Sequence, residues 1–225
     1  MSGFVAALLG ARVPVIAEVK PTDGRGAALL GARSPVELAG AYEAAGAPCL
    51  SVVTGRWFGG SPRLLADVAG RSGLPVLRKD FLTRDRDLVA TRELGASAVL
   101  LTAGLLPRSV LGSLVDKALG LGLTPFVEVT SEAEIAAVRH PADCVIAVNN
   151  KDIRGREQGV PDLARSERLL PAVVATGCPC PVSASGISRP EDAARLLGAG
   201  FAGVLVGTAL LRAPNLATWL AEVPR

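Results

Sequence analysis

Eight short apolar runs, each separated from the next by an amphipathic stretch, limit this chain's fold more than any other feature. The runs are Val15 to Val19, Cys49 to Val53, Pro75 to Leu77, Ala98 to Leu101, Phe126 to Val129, Val145 to Val148, Pro181 to Ser183 and Val204 to Val206. Unbroken apolar character, rather than alternation, predicts strands buried on both faces, as in a parallel sheet. The stretches between them predict helices over Ser34 to Gly46, Arg63 to Gly73, Arg86 to Gly95, Ser109 to Gly122, Ser131 to His140, Asp162 to Ala172 and Pro190 to Gly200. Most close on glycine just before the next strand, the residue expected after a helix C-terminus.

Eight such units predict an α/β fold, a closed (β/α)8 TIM barrel forming one domain over residues 1–225. The competing architecture, an open doubly wound sheet, calls for a glycine-rich dinucleotide turn after its first strand. Gly24-Arg25-Gly26 lacks that spacing.

Charge and composition narrow the function. The net +3 arises from 24 basic and 21 acidic residues spread along the chain, without the basic run that tracks nucleic acid. Nucleic acid is therefore not an expected partner. No uncharged apolar stretch nears the roughly 20 residues of a membrane span, and the first residues lack a basic leader, so a cytoplasmic protein is expected. Cys49 and Cys144 fall in predicted strands, and Cys178 and Cys180 are too close for an ordinary disulfide, so reduced structural cysteines are expected. His140 is the single histidine, too few imidazoles for a zinc cluster or a serine-histidine-acid triad. Acid/base chemistry without metal or cofactor is the expectation.

Only four of the 24 basic residues are lysines, and Lys20, Lys79 and Lys151 each stand at the end of an apolar run. Lysine's pKa responds to burial, so such an ammonium can donate a proton as well as pair with an anion. A barrel's active site forms where the strands end, which directs attention to these positions. Glu18 and Lys20 share one face of the first strand, an acid paired with an amine. Arg78 and Lys79 have opposite parity, and Lys79 shares that of Leu77, which predicts that Lys79 points inward. Glu128 interrupts an apolar run and is costly to bury unless a cation or a substrate answers it. Opposite tuning of Glu128 and Lys79 would supply one proton donor and one acceptor. The second strand offers Ser51 and Thr54, and the sixth Asn149, Asn150, Lys151 and Asp152. The alternative is a set of structural ion pairs.

Strand seven runs into Ser183-Ala184-Ser185-Gly186-Ile187-Ser188, and strand eight into Gly207-Thr208-Ala209. Glycine amides after these two strands, at the start of a short extra helix, suit a phosphate, although tight turns alone also need glycine. A phosphorylated small molecule is the expected ligand.

These residues together resemble indole-3-glycerol phosphate synthase over nearly the whole chain. The resemblance is carried by Ile16-Ala17-Glu18-Val19-Lys20, Leu50-Ser51-Val52-Val53-Thr54, Phe58-Gly59-Gly60-Ser61 and, most specifically, Leu74-Pro75-Val76-Leu77-Arg78-Lys79-Asp80-Phe81. Val127-Glu128-Val129, Val148-Asn149-Asn150-Lys151-Asp152, Ser185-Gly186-Ile187 and Val204-Leu205-Val206-Gly207-Thr208-Ala209-Leu210 follow in order.

The resemblance implies a carbon-carbon lyase of tryptophan biosynthesis. It would close carboxyphenylamino-deoxyribulose 5-phosphate to indole glycerol phosphate with loss of carbon dioxide and water, and without cofactor or metal. It implies Lys79 as general acid, Lys20 on the substrate carboxylate, Glu18 orienting that lysine, and Glu128 serving the dehydration. Asn149 would bond the sugar hydroxyls, Ser51 would line the pocket, and Ser185, Gly186, Gly207 and Thr208 would take the phosphate. Lys151 completes the substrate-binding set, and a monomer or weak homo-oligomer is implied.

Three departures stand out. Ala184 occupies the glutamate position of the family's Glu-Ser-Gly motif. The loop after Lys20 reads Pro21-Thr22-Asp23-Gly24-Arg25-Gly26 in place of a Ser-Pro-Ser phosphate contact, with Arg25 a possible replacement. Only 13 residues precede Pro14, so the N-terminal extension that helps cover the aromatic pocket is shortened, with Phe4 to Leu9 expected to keep its last helix. Beside the parent reaction, these departures leave open a paralogue acting on another arylamino sugar phosphate, and a non-catalytic phosphate-binding partner subunit.

Overall fold

The computed structural model describes residues 1–151 and 159–223. Its strands are β1 (Val15–Val19), β2 (Cys49–Val53), β3 (Val76–Lys79), β4 (Ala98–Thr102), β5 (Thr124–Val129), β6 (Val145–Asn149), β7 (Cys180–Ala184) and β8 (Gly203–Val206). All neighbours pair in parallel, and β8 returns to β1, so the sheet closes into a barrel with no edge. The helices are α1 (Gly3–Gly10), α2 (Pro35–Ala44), α3 (Pro62–Ala69), α4 (Asp85–Glu93), α5 (Arg108–Gly120), α6 (Glu132–Ile135), α7 (Leu163–Ala175), α8 (Pro190–Gly198), α9 (Thr208–Arg212) and α10 (Leu216–Ala221). Local chemistry marks several helix starts. Ser34 and Glu37 form a capping box with Pro35 at the first turn of α2, and Ser61 caps α3 the same way without the reciprocal glutamate. Gly46, Gly95, Gly122, Gly177 and Gly200 take the left-handed conformation after helices, as the sequence predicts.

Two apolar clusters build the interior. Alternate strand residues such as Val15, Ala17, Val52, Val99 and Val127 face the helices, while Ile16, Leu77, Phe126, Val182 and Leu205 fill the barrel. A tilted, staggered barrel brings inward side chains of alternate strands to common levels. The register sets Ile16, Leu77, Phe126 and Val182 at one level and Ser51, Leu100, Ala147 and Leu205 above them. Glu18, Lys79, Glu128 and Ala184 form the next level, with Val53, Thr102, Asn149 and Gly207 at the mouth. The charged residues therefore form one layer on an apolar floor.

One sequence expectation is met and two change. The helix expected over Phe4 to Leu9 is present as α1, and it seals the far end of the barrel. Phe4, Val5 and Leu8 join the cluster of Cys49, Ala98 and Val145, Phe4 meets Phe126 edge-on at 6.4 Å between centroids, and Leu8 packs against Gly203. The helix expected over Ser131 to His140 shrinks to α6. The helix stops at Ile135, and His140, before Pro141, takes the left-handed conformation at φ 50°. Helix α10, which sequence periodicity did not single out, packs Trp219 and Leu220 into the outer core. All four cysteines are buried free thiols, and burial pushes Cys49, Cys144 and Cys180 up to about 12.

Candidate active site

Glu18 lies at the centre of the strand-end chemistry. Its Oε1 meets the Lys20 ammonium at 2.9 Å and its Oε2 meets that of Lys79 at 3.4 Å, and all three side chains are at least nine-tenths buried. The expected face-sharing of Glu18 and Lys20 and the inward aim of Lys79 both hold. Burial alone would raise the Glu18 pKa; the charges of Lys20 and Lys79, and their hydrogen bonds, outweigh it and hold the carboxyl at about 2. Glu18 thus stays ionised between the two ammonium groups. Gly207 is what permits this approach, because a Cβ there would strike Glu18 Oε1.

Arg78 points the other way, into a buried clamp. Its guanidinium donates to Thr54 Oγ1 (3.1 Å), Thr91 Oγ1 (2.9 Å) and the Asp87 carbonyl (3.2 Å), and reaches the Asp80 carboxylate at 3.7 Å. Thr54 in turn donates to Asp80 at 2.8 Å. The clamp ties the ends of β2 and β3 to α4, and so fixes the backbone that carries Lys79 and Phe81.

Two concavities open over the charged layer. One is lined by Trp57, Phe58, Phe81, Val53 and Leu100, with Lys79 and Glu128 in its wall. The other, a cleft of about 740 Å³, is bounded among the described residues by Lys20, Arg25, Lys79, Lys151 and Arg212, against which stand Glu18 and Asp23. Lys79 lines both and marks their junction. Lys20 also lies over the Phe58 ring, 5.7 Å from its centroid.

The far wall of the cleft is made by Ser185, Gly186, Gly207 and Thr208, so the two turns singled out in the sequence converge on one place. Ser185 and Gly186 are both left-handed, at φ 68° and 77°. Arg25 reaches the same cleft from the loop after β1. Asp23 shapes that loop by accepting the N–H groups of Arg25 and Ala27 at 2.9 and 3.0 Å, and Arg212 braces it at 3.3 Å.

Ser51 and Asn149 are wholly buried and line neither concavity. Asn149 is oriented by the Lys151 N–H, which donates to its Oδ1 at 2.9 Å. Asn149 Nδ2 and Ser51 Oγ have no hydrogen-bond partner among the described residues. Asp152 lies outside the described residues. Ala184 places a methyl group in the charged layer, level with Glu18, Lys79 and Glu128.

Sequence reasoning did not find the Phe58–Phe81–Leu100 wall, nor Arg212 and Trp219 at the cleft rim. Phe81 carried a signal, since it follows the lysine of the third strand within two residues. Arg212 had one as well, lying one helical turn beyond Thr208. Trp219 comes from a separate helix, and nothing local ties it to the site.

The profile of the family described as "Indole-3-glycerol phosphate synthase" matches residues 2–223. The indole-3-glycerol phosphate synthase of Pyrococcus furiosus is 39% identical over 210 residues, covering 93% of this chain and 90% of that protein. The Streptomyces coelicolor protein named indole-3-glycerol phosphate synthase 1 is 37% identical over 220 residues, covering 97% and 80%. The Thermococcus kodakarensis indole-3-glycerol phosphate synthase is 38% identical over 210 residues, covering 93% and 91%.

Proposed function

Because the chain belongs to the indole-3-glycerol phosphate synthase family, we propose that it closes carboxyphenylamino-deoxyribulose 5-phosphate to indole glycerol phosphate, as a carboxy-lyase. The observation that carries this reading is the place of Lys79, at the junction of an aromatic-walled pocket and a cationic cleft. The substrate's aryl ring suits the first and its sugar phosphate the second. Five cations against two carboxylates among the described residues of the cleft also suit a ligand bearing a phosphate and a carboxylate.

In the reaction, the ring carbon that bears the carboxylate attacks the ketone carbon, and Lys79 gives its proton to the ketone oxygen as the carbon-carbon bond forms. Carbon dioxide leaves with cleavage of its bond to the ring, whose electrons restore the ring. The new hydroxyl takes up a proton and departs as water, while the ring methylene carbon beside the nitrogen gives up a proton so that its C–H electrons form the indole double bond and the nitrogen keeps its hydrogen, with Glu128 serving these transfers. Lys20 holds the substrate carboxylate, and Glu18 holds Lys20 and Lys79 in place. Asn149, for which the resemblance implies a bond to the sugar hydroxyls, lies beneath the surface of both concavities, and with Ser51 it supports the floor of the site. Ser185, Gly186, Gly207, Thr208, Arg25 and Lys151 receive the phosphate end. Each step is acid/base chemistry and calls for no cofactor or metal. The same reading places one barrel over residues 1–225 in the cytoplasm, acting on a small phosphorylated substrate as a monomer or weak homo-oligomer, with neither nucleic acid nor membrane as partner. In the structure, no helix among the described residues is long and apolar enough to cross a membrane.

Ala184 favours a second reading, in which the same machinery acts on a different arylamino sugar phosphate. A fluorescence assay for indole glycerol phosphate, with Ala184→Glu run beside the unaltered chain, separates the two. Turnover by the unaltered chain supports the parent reaction. Turnover only by the variant points to the second reading, and turnover by neither refutes the first.

A further inference from the structure

Ser185 holds a backbone conformation that a residue with a side chain seldom adopts, and its surroundings show what enforces it. Among the described residues only His140 and Ser185 have positive φ without being glycine, and only Ser185 lines the cleft. Such outliers persist where neighbouring structure over-determines them.

Asn150 supplies that determination. It is completely buried, and its Nδ2 lies 3.0 Å from the Ala184 carbonyl, 3.1 Å from the Ser185 carbonyl and 3.0 Å from Ser183 Oγ. Its backbone N–H also donates to the Ala184 carbonyl at 3.0 Å. Ser166 fixes the amide's orientation by donating to Asn150 Oδ1 at 2.8 Å, and it lies 2.7 Å from Ser183 Oγ. In a trans peptide the carbonyl and the following N–H point in opposite directions. Drawing the carbonyls of residues 184 and 185 toward Asn150 therefore turns the N–H groups of Ser185 and Gly186 away from it, toward the cleft. Successive N–H groups presented in this way make a concavity for an anion.

We infer that Asn150 is a positioning residue that shapes the phosphate cup through the backbone of Ser185 and Gly186, without touching the ligand itself. The inference rests on the phosphate reading of this cleft. Its test is equilibrium titration of the whole protein with inorganic phosphate and, separately, with anthranilate, which has a carboxylate and an aromatic ring but no phosphate. Asn150→Ala is expected to weaken phosphate binding about tenfold, the scale of one buried hydrogen bond, while leaving anthranilate affinity unchanged. With the phosphorylated substrate, KM is expected to rise about as much, with kcat within twofold of its original value.

Ser166→Ala keeps Asn150 and removes only the hydroxyl that orients it. It is expected to shift phosphate affinity a few-fold in the same direction, and it decides the matter if Asn150→Ala fails to fold. Phosphate binding that is unchanged in the variants, or losses of equal size for phosphate and anthranilate, would overturn the inference alone. Absence of phosphate binding by the unaltered chain would overturn the phosphate reading and the inference with it.

Discussion

Replacing Glu18 by Gln removes one negative charge and almost no volume from between two buried ammonium groups. The Glu18 carboxyl titrates at about 2 in the folded chain against 4.5 for the ordinary group. At about 1.4 kcal/mol per pKa unit, that difference is worth roughly 3 kcal/mol of stability at neutral pH. The folded pKa is the lower one, so the contribution is fully present above pH 4.5 and is lost as pH falls toward 2. By about pH 3 less than half of it remains. Urea unfolding at pH 7 should therefore show E18Q less stable than the unaltered chain by about 3 kcal/mol, with the gap at least halved near pH 3. The variant also removes the carboxylate that both ammonium groups grip, so kcat/KM should fall as Lys79 loses its anchor. A stability gap that is the same at pH 7 and pH 3, or an unchanged kcat/KM, would refute this account of Glu18.

Other perturbations follow from the same geometry. Lys79→Ala should lower kcat by about 10²- to 10⁴-fold, the usual worth of a positioned acid, read by indole fluorescence under saturating substrate. Gly207→Ala should lower both kcat/KM and phosphate affinity, because the new methyl would push Glu18 off its lysines; ordinary activity would refute the close-approach explanation of that glycine. Ala184→Glu places a third carboxylate in a layer that already holds Glu18 and Glu128 with Lys79, Lys20 reaching Glu18 from the end of β1. It should cost about 2 kcal/mol in the empty protein, lowering Tm by roughly 4–8 °C in calorimetry. Phe4→Ala should cost about 3–5 kcal/mol in urea unfolding while leaving KM unchanged, since the ring fills the end of the barrel away from the site.

The strands were legible because each is buried on both sides, which writes an uninterrupted apolar run into the chain. The helix expected over Ser131 to His140 was overextended because its polar and apolar residues keep a helical spacing beyond Ile135, where the structure ends the helix. Trp57, in the loop after β2, is two-thirds exposed with its ring centroid 6.4 Å from that of Phe81 on the aromatic wall, a pairing that no local sequence signal announces.

The sequence by itself determined the eight-fold alternation, and with it the barrel. It also determined that Glu18, Lys20, Lys79 and Glu128 belong to strand ends and that the glycine turns follow β7 and β8. Strand period and turn chemistry act over a few residues, so local order carries them. Only the tertiary structure decided which acid meets which amine. Glu18 joins Lys79 because the barrel's stagger brings alternate strands to one level, a property of the closed sheet rather than of any segment. The stagger likewise set Ala184 among the charges, and closure brought Arg212 and Trp219 beside the loop carrying Arg25. Those positions depend on distances across the barrel, which the order of residues along the chain does not record.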